Sequence, residues 1–250
     1  MMEILELFKD GNWIDNEDSQ LACNAERIIK QLESCFNEAL VSLILFDREK
    51  EKFSDTTKFK KEWLEDREKR IQIQASIENE FDLSVFVNHD KLSRKVESIF
   101  NQEKLNEGTL PSFLQNSLPF IYAKSFLYCL DTIEKLINTL SNQIGDSAEL
   151  SAIKGLMSEN FPDLLHVRDS SHHIEDRVLG KHRKKVIELQ PIDSDGIKTD
   201  GGVLVLSHLS GSSFSCIMFD GHLGKVDVTR ETLNIVRDII QRVINSFKWK

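Results

Sequence analysis

Cysteine is scarce and unpatterned: Cys23, Cys35, Cys129 and Cys216 are spread over 250 residues. That spacing excludes a zinc knuckle and a disulfide framework, and reduced, buried thiols are the expectation. Apolar runs of membrane-spanning length are missing. The opening Met-Met-Glu-Ile-Leu-Glu-Leu-Phe-Lys-Asp carries acids where a secretion signal needs a basic leader, so the expected compartment is the cytoplasm. No Gly-rich loop of the Walker or Rossmann kind occurs, which removes the usual nucleotide cradles. Ser170-Ser171 lacks the strand-turn-helix elbow of a serine hydrolase. Positive charge is also short, with 32 Lys and Arg against 41 Asp and Glu and a net charge of −9. Duplex DNA and anionic membranes need a broad positive field. Neither is an expected partner, and any nucleic-acid contact should be local.

Helical periodicity fills the first two thirds. Ala25, Ile29, Leu32, Phe36, Ala39, Leu43 and Phe46 step by four and three. They form one apolar stripe on a helix of about seven turns, which Asp15, Asn16 or Asp18 can cap. A more polar helix is expected over 55–79, with Phe59, Trp63, Arg67 and Ile71 marking one face and the dense charges a solvated side. Residues 81–87 fit a short strand or a buried loop. A short helix is expected from Asp90 through Leu92, Val96, Ile99 and Phe100. A long one should cover 113–142, where Phe126, Leu130, Ile133, Ile137 and Leu140 repeat the stepping and Pro119 kinks the first turns. A helix near 147–158 leads through Asn160-Phe-Pro162-Asp163 into another over 163–179, stopped by Gly180.

Beyond Gly180 the pattern changes. Val186–Leu189, Gly202–His208, Phe214–Phe219 and Lys225–Val228 are β-branched or aromatic runs. Ser210-Gly-Ser-Ser213 and Asp220-Gly221 between them are hairpin signals. Thr229 then opens a closing helix with Leu233, Val236, Ile240, Val243 and Phe247 on one stripe. The expected architecture is mainly α: a single helical-bundle domain over 1–250, with a small antiparallel β-meander inserted at 186–228 before the C-terminal helix.

Histidine and arginine gather in His166-Val-Arg168-Asp169-Ser170-Ser171-His172-His173-Ile-Glu175-Asp176-Arg177. Four of the seven histidines lie between 166 and 182, and from Arg168 to Lys185 six cations face three carboxylates, a local excess of +3. Such an island on an acidic chain is where an anion is received. On a helix, Asp169 and His173 face the same way, so the carboxylate can orient the imidazole, and Arg168 and His172 are likewise four apart. Arg168 and His173 diverge by about 140° on an ideal helix. They converge only if Arg168 lies at or before the first turn.

Arg168-Asp169-x-x-x-His173 resembles the Arg-polar-x3-His signature of HEPN domains, helical bundles whose catalytic members are endoribonucleases of toxin, antiphage and RNA-surveillance systems. The resemblance covers residues 110–180 and 229–248, with long helices first, the motif on a late helix and a closing helix after it. It implies metal-independent RNA cleavage with Arg168, Asp169 and His173 as catalytic residues. His173 would deprotonate a ribose 2'-OH, which attacks the adjacent phosphate and expels the 5'-oxygen, leaving a 2',3'-cyclic phosphate and a 5'-OH. Arg168 would hold the phosphorane oxygens. His172, Arg177, Lys181, Arg183, Lys184 and Lys185 would meet the RNA backbone. The resemblance also implies a homodimer whose two motifs face each other across a two-fold axis, and an antitoxin or defence partner.

The same residues admit a different reading. Arg168 bound to a carboxylate would make an interhelical brace, and the chain a non-catalytic dimerisation or partner-binding scaffold. His172 and His173, with His166 or Asp169, match no standard metal spacing, so neither metal nor cofactor is expected. His208 and His222 read as incidental, and Trp13, Trp63 and Trp249 as packing anchors.

Overall fold

The first helix, α1, runs Ser19–Ser54, a length of 36 residues. Asp18 starts it, its Oδ1 accepting the Gln20 and Leu21 N–H groups at 2.9 and 3.0 Å. All seven residues of the expected stripe, Ala25 to Phe46, are buried. The structure, a computed structural model, describes residues 5–54, 56–80, 89–144 and 148–250. The strand-or-loop expectation for 81–87 lies outside the described residues. Contacts divide the chain into two compact units, one of residues 1–45 with 120–250 and the other of residues 46–119. Nothing in the periodicity, read as one bundle over 1–250, marked that division.

The second unit holds α2 (Thr56–Glu80), α3 (His89–Asn106) and the single turn α4 (Ser112–Gln115). Ile73 and Ile77 of α2 pack with Val96 and Phe100 of α3, with Leu92 and Ile99 at the margin. Arg70 lies 3.9 Å from the centre of the Phe100 ring and bonds Glu97 at 2.6 Å. Asp66 and Lys104 close the same seam at 2.6 Å. The face that sequence spacing marks, Phe59, Trp63 and Ile71, is instead exposed. The packed face follows Asp66, Arg70, Ile73 and Ile77, where Arg and Lys stems cover the ring in place of further apolar side chains.

The first unit continues with α5 (Leu118–Ile144), α6 (Ala148–Lys154), α7 (Leu156–Asn160), α8 (Leu164–His172) and α9 (Ile174–Arg177). The α5 stripe, Phe126, Leu130, Ile133, Ile137 and Leu140, is buried throughout. Pro119 sits in the first turn of α5, where a missing N–H costs nothing. The expected kink is a break instead, at Asn116 and Ser117 between α4 and α5. Small antiparallel sheets follow. Strands β1 (Lys181–His182) and β2 (Lys185–Val186) pair, as do β3 (Ile192–Ser194) and β4 (Ile197–Thr199). Strands β5 (His208–Ser210), β6 (Ser213–Ile217) and β7 (Leu223–Asp227) form a three-stranded meander.

Of the expected strands at 186–189 and 202–208, one residue each, Val186 and His208, lies in a strand. Leu189, Leu204 and Val205 fill a small core around Ile187, Ile192 and Ile217 instead of forming ladders. The last helix, α10 (Arg230–Asn245), is capped by Thr229, whose hydroxyl accepts the Thr232 N–H at 3.2 Å. Leu233, Val236, Ile240 and Val243 are buried, while Phe247 lies just past its end. Residues 12–15 run beside 248–250, with Trp13 and Lys250 exchanging backbone hydrogen bonds of 2.9 and 3.1 Å. Among the described residues, no helix is long and apolar enough to cross a membrane.

Candidate functional site

Helix α8 carries the site. Leu164, Val167 and Ser170 form its buried face, which rests on β6 and β7. Gly224 of β7 permits that approach, because a Cβ there would stand 2.8 Å from Val167 Cγ2 and 2.5 Å from Met218 Sδ. Cys216 of β6 is buried beneath, 3.5 Å from the Val167 carbonyl, and loss of solvent pushes its thiol up to about 11. At the start of α8, Asp163 accepts the Lys225 N–H at 3.0 Å, which ties the helix to the outer edge of β7.

The helix expected over 163–179 is interrupted at its functional residue. His173 leaves helical geometry with φ −96° and ψ 50°, and α9 begins at the next residue. Four-residue spacing therefore no longer joins Asp169 to His173 through their side chains. Asp169 Oδ1 takes Arg168 Nη1 at 2.6 Å, and His173 Nδ1 meets Glu175 at 3.3 Å. The Glu175 carboxyl is held below its ordinary range by its own backbone N–H and then by His173.

Arg168 is braced from α5. Its Nε lies 2.9 Å from Asp131 Oδ2, an ion pair whose N–H is not aimed along the contact, and Asp131 Oδ1 has no hydrogen-bond partner among the described residues. The Asp131 side chain is 3% exposed and that of Arg168 19%. Lys135 gives Asp131 a second cation at 2.7 Å. The guanidinium sits 5.7 Å from the centre of the Tyr128 ring, Tyr128 is edge-on to His172 at 6.1 Å, and the His172 and His173 rings are 5.0 Å apart. Arg168, Tyr128, His172 and His173 thus form one run of contacts that ends in solvent, where the His173 side chain is 52% exposed. Tyr128 was not among the sequence candidates. Its phenol is pushed up by burial, with Arg168 opposing. The signal was its place on α5 three residues before Asp131, which becomes meaningful only once α5 is known to face α8.

Arg177 belongs to the interior. It is 2% exposed, and its donors are taken by Ser170 Oγ at 3.1 Å, the Lys181 carbonyl at 2.8 Å and His182 Nδ1 at 3.0 Å. A guanidinium so enclosed is a strut and not the RNA contact expected of it. Arginine only donates, so His182 Nδ1 accepts and its ring is the neutral Nε2–H form. Burial, then the Arg177 and Arg183 charges, hold the His182 pKa below its ordinary value. The β1–β2 hairpin turns through Arg183 and Lys184, with Arg183 at φ 57° and its N–H on Asp176 at 3.1 Å. Lys184 and Lys185 are exposed beside it. Among the described residues, no carboxylate pairs with the side chains of Lys181, Arg183, Lys184 or Lys185.

No protein-family model, curated protein or solved structure matches the chain. Among the described residues, no group of three or more His, Cys, Asp or Glu side chains is arranged to hold a metal ion. The cluster carries imidazoles, a guanidinium, a phenol and the carboxylates of Asp131, Asp169 and Glu175.

Proposed function

We propose that the chain is a HEPN-like helical protein that acts in the cytoplasm as a homodimeric, metal-independent endoribonuclease of a prokaryotic toxin or antiphage defence system. The observation that supports this best is the unbroken contact run from Arg168 through Tyr128 and His172 to the exposed His173. It gathers a permanent cation and two imidazoles at one solvent boundary. His173, oriented by Glu175, takes the 2'-OH proton. Arg168 uses Nη2, which makes no hydrogen bond among the described residues, toward a phosphate oxygen. The second proton transfer, to the leaving 5'-oxygen, falls to His172 or to the motif of the other subunit. Wild type should cut single-stranded RNA in the presence of chelator and leave 2',3'-cyclic phosphate ends. His173→Ala should lower the rate about 100-fold or more without shifting the melting temperature by more than a few degrees.

One observation favours the scaffold reading. Both carboxylates nearest Arg168, Asp131 and Asp169, already engage it. A guanidinium so neutralised is a good brace and a poorer phosphate clamp. Wild type that leaves RNA intact, in a protein that remains a dimer, assigns the cluster to assembly.

A further inference from the structure

Phe219 follows β6 and leaves 43% of its surface in solvent. Two imidazoles lie against it at tilted angles. The His166 ring centre is 4.7 Å away at an interplanar angle of 57°, and that of His182 is 5.6 Å away at 49°. The ring is thus partly covered by imidazoles and partly open to solvent. His182 is fixed in place and in tautomer by the buried Arg177, and His166 stands on α8. Nε2 of His182 is then a donor, with no hydrogen-bond partner among the described residues. The basic β1–β2 hairpin rises directly from His182, with Arg183 and Lys184 at its tip and Lys185 paired opposite His182.

On α8, His166 lies about 200° around the axis from Arg168. The two residues therefore flank the buried face from opposite sides, and the solvent side of the helix lies between them. A helix is about 10 Å across with its side chains, a span of a few nucleotides. A strand crossing α8 would meet the Phe219 ring on one flank and the His173 cluster on the other.

We propose that Phe219, with His166 and His182, is a stacking platform for an unpaired base of single-stranded RNA, and that Arg183, Lys184 and Lys185 receive the neighbouring phosphates. This rests on the reading of the chain as an RNA-acting protein and extends it to a second contact. Flat aromatic faces hold bases with little sequence preference, and unpaired bases are the form in which proteins read RNA.

The test uses full-length His173→Ala protein with chelator, so that a fluorescent single-stranded RNA of mixed sequence stays intact during anisotropy titration. Phe219→Ala in that background should weaken binding on the order of tenfold. Phe219→Trp should restore it, and Phe219→Leu, which keeps apolar volume and guards against a folding defect, should not. A self-complementary duplex of equal length should bind more weakly than the single strand. The salt dependence should be unchanged by Phe219→Ala but reduced by about one ion for Lys184→Ala. Equal affinity of the Ala and parent proteins, or full binding by the Leu variant, overturns the platform, as does absence of binding. Cleavage by wild type is scored separately from product ends. Binding that depends on Phe219 without cleavage defeats the ribonuclease and keeps the platform, whereas cleavage with Phe219-independent binding does the reverse.

Discussion

At the scale of single residues, Arg168 and His173 are held by opposite physics, and that difference is measurable. Arg168→Ala leaves Asp131 buried with only the half-exposed Lys135 to answer it, so stability should fall by about 3 kcal/mol, a cost typical of a broken buried pair. Chemical denaturation reads this directly, and His173→Ala should show no comparable loss. His182 gives a pH signature. Its folded pKa is lowered, so its contribution is complete above the ordinary value of 6.5 and is lost as pH falls through the folded value. Between pH 7 and pH 5, wild type should lose more thermal stability than His182→Asn, whose side-chain oxygen can still accept from Arg177. Equal slopes in the two proteins would remove His182 from the acid response. The concentration of His and Arg at 166–185 was legible in the sequence, because composition alone shows it. The roles within it were not. Arg177 and Lys184 look alike as letters, and only Ser170, the Lys181 carbonyl and His182 closing around Arg177 separate a strut from a surface charge.

At the scale of elements, regular period was the reliable guide. The α1, α5 and α10 stripes are continuous over many turns, and each has one burial solution, so sequence and structure agree along them. Helix α2 carries two partial apolar rows, and spacing could not say which one α3 would cover. Trp63→Glu should therefore be nearly neutral, within about 0.5 kcal/mol, as exposed positions usually are. Phe100→Ala should cost about 3 to 5 kcal/mol by opening a cavity at the α2–α3 seam. Thermal melts of the two variants side by side check the assignment, and a Trp63→Glu loss as large as that of Phe100→Ala would refute it. The α8–α9 break escaped the sequence for another reason. Neither glycine nor proline marks His173, and the break there precedes the short turn that carries the buried Arg177. Two of the short hairpins were legible through Gly211 and Gly221, whose φ values of +59° and +87° require that freedom, while the β3–β4 turn at Gly196, with φ +83°, was not read from the sequence. Strand lengths were not legible, since the apolar runs serve as plugs as well as ladders.

At the scale of the whole molecule, the mainly helical class with small C-terminal sheets follows from the change of pattern after Gly180. The division into units does not, because no Gly- or Pro-rich linker announces it. If the proposed function holds, sedimentation at micromolar concentration should show a dimer, and dilution to monomer should abolish cleavage along with it. Retention of full activity by a monomer would detach the chemistry from the two-fold site. The division also orders events in time. Residues 46–119 form one uninterrupted stretch of chain, so all of their partners within the unit leave the ribosome together. The other unit is split, and α1 emerges with its apolar stripe complete while its own unit resumes only at residue 120. At about 5 to 20 residues per second, α1 waits several seconds for α5 and longer for residues 248–250 to reach Trp13. During synthesis that stripe, so well sealed in the finished protein, is apolar surface open to water until α5 arrives to cover it.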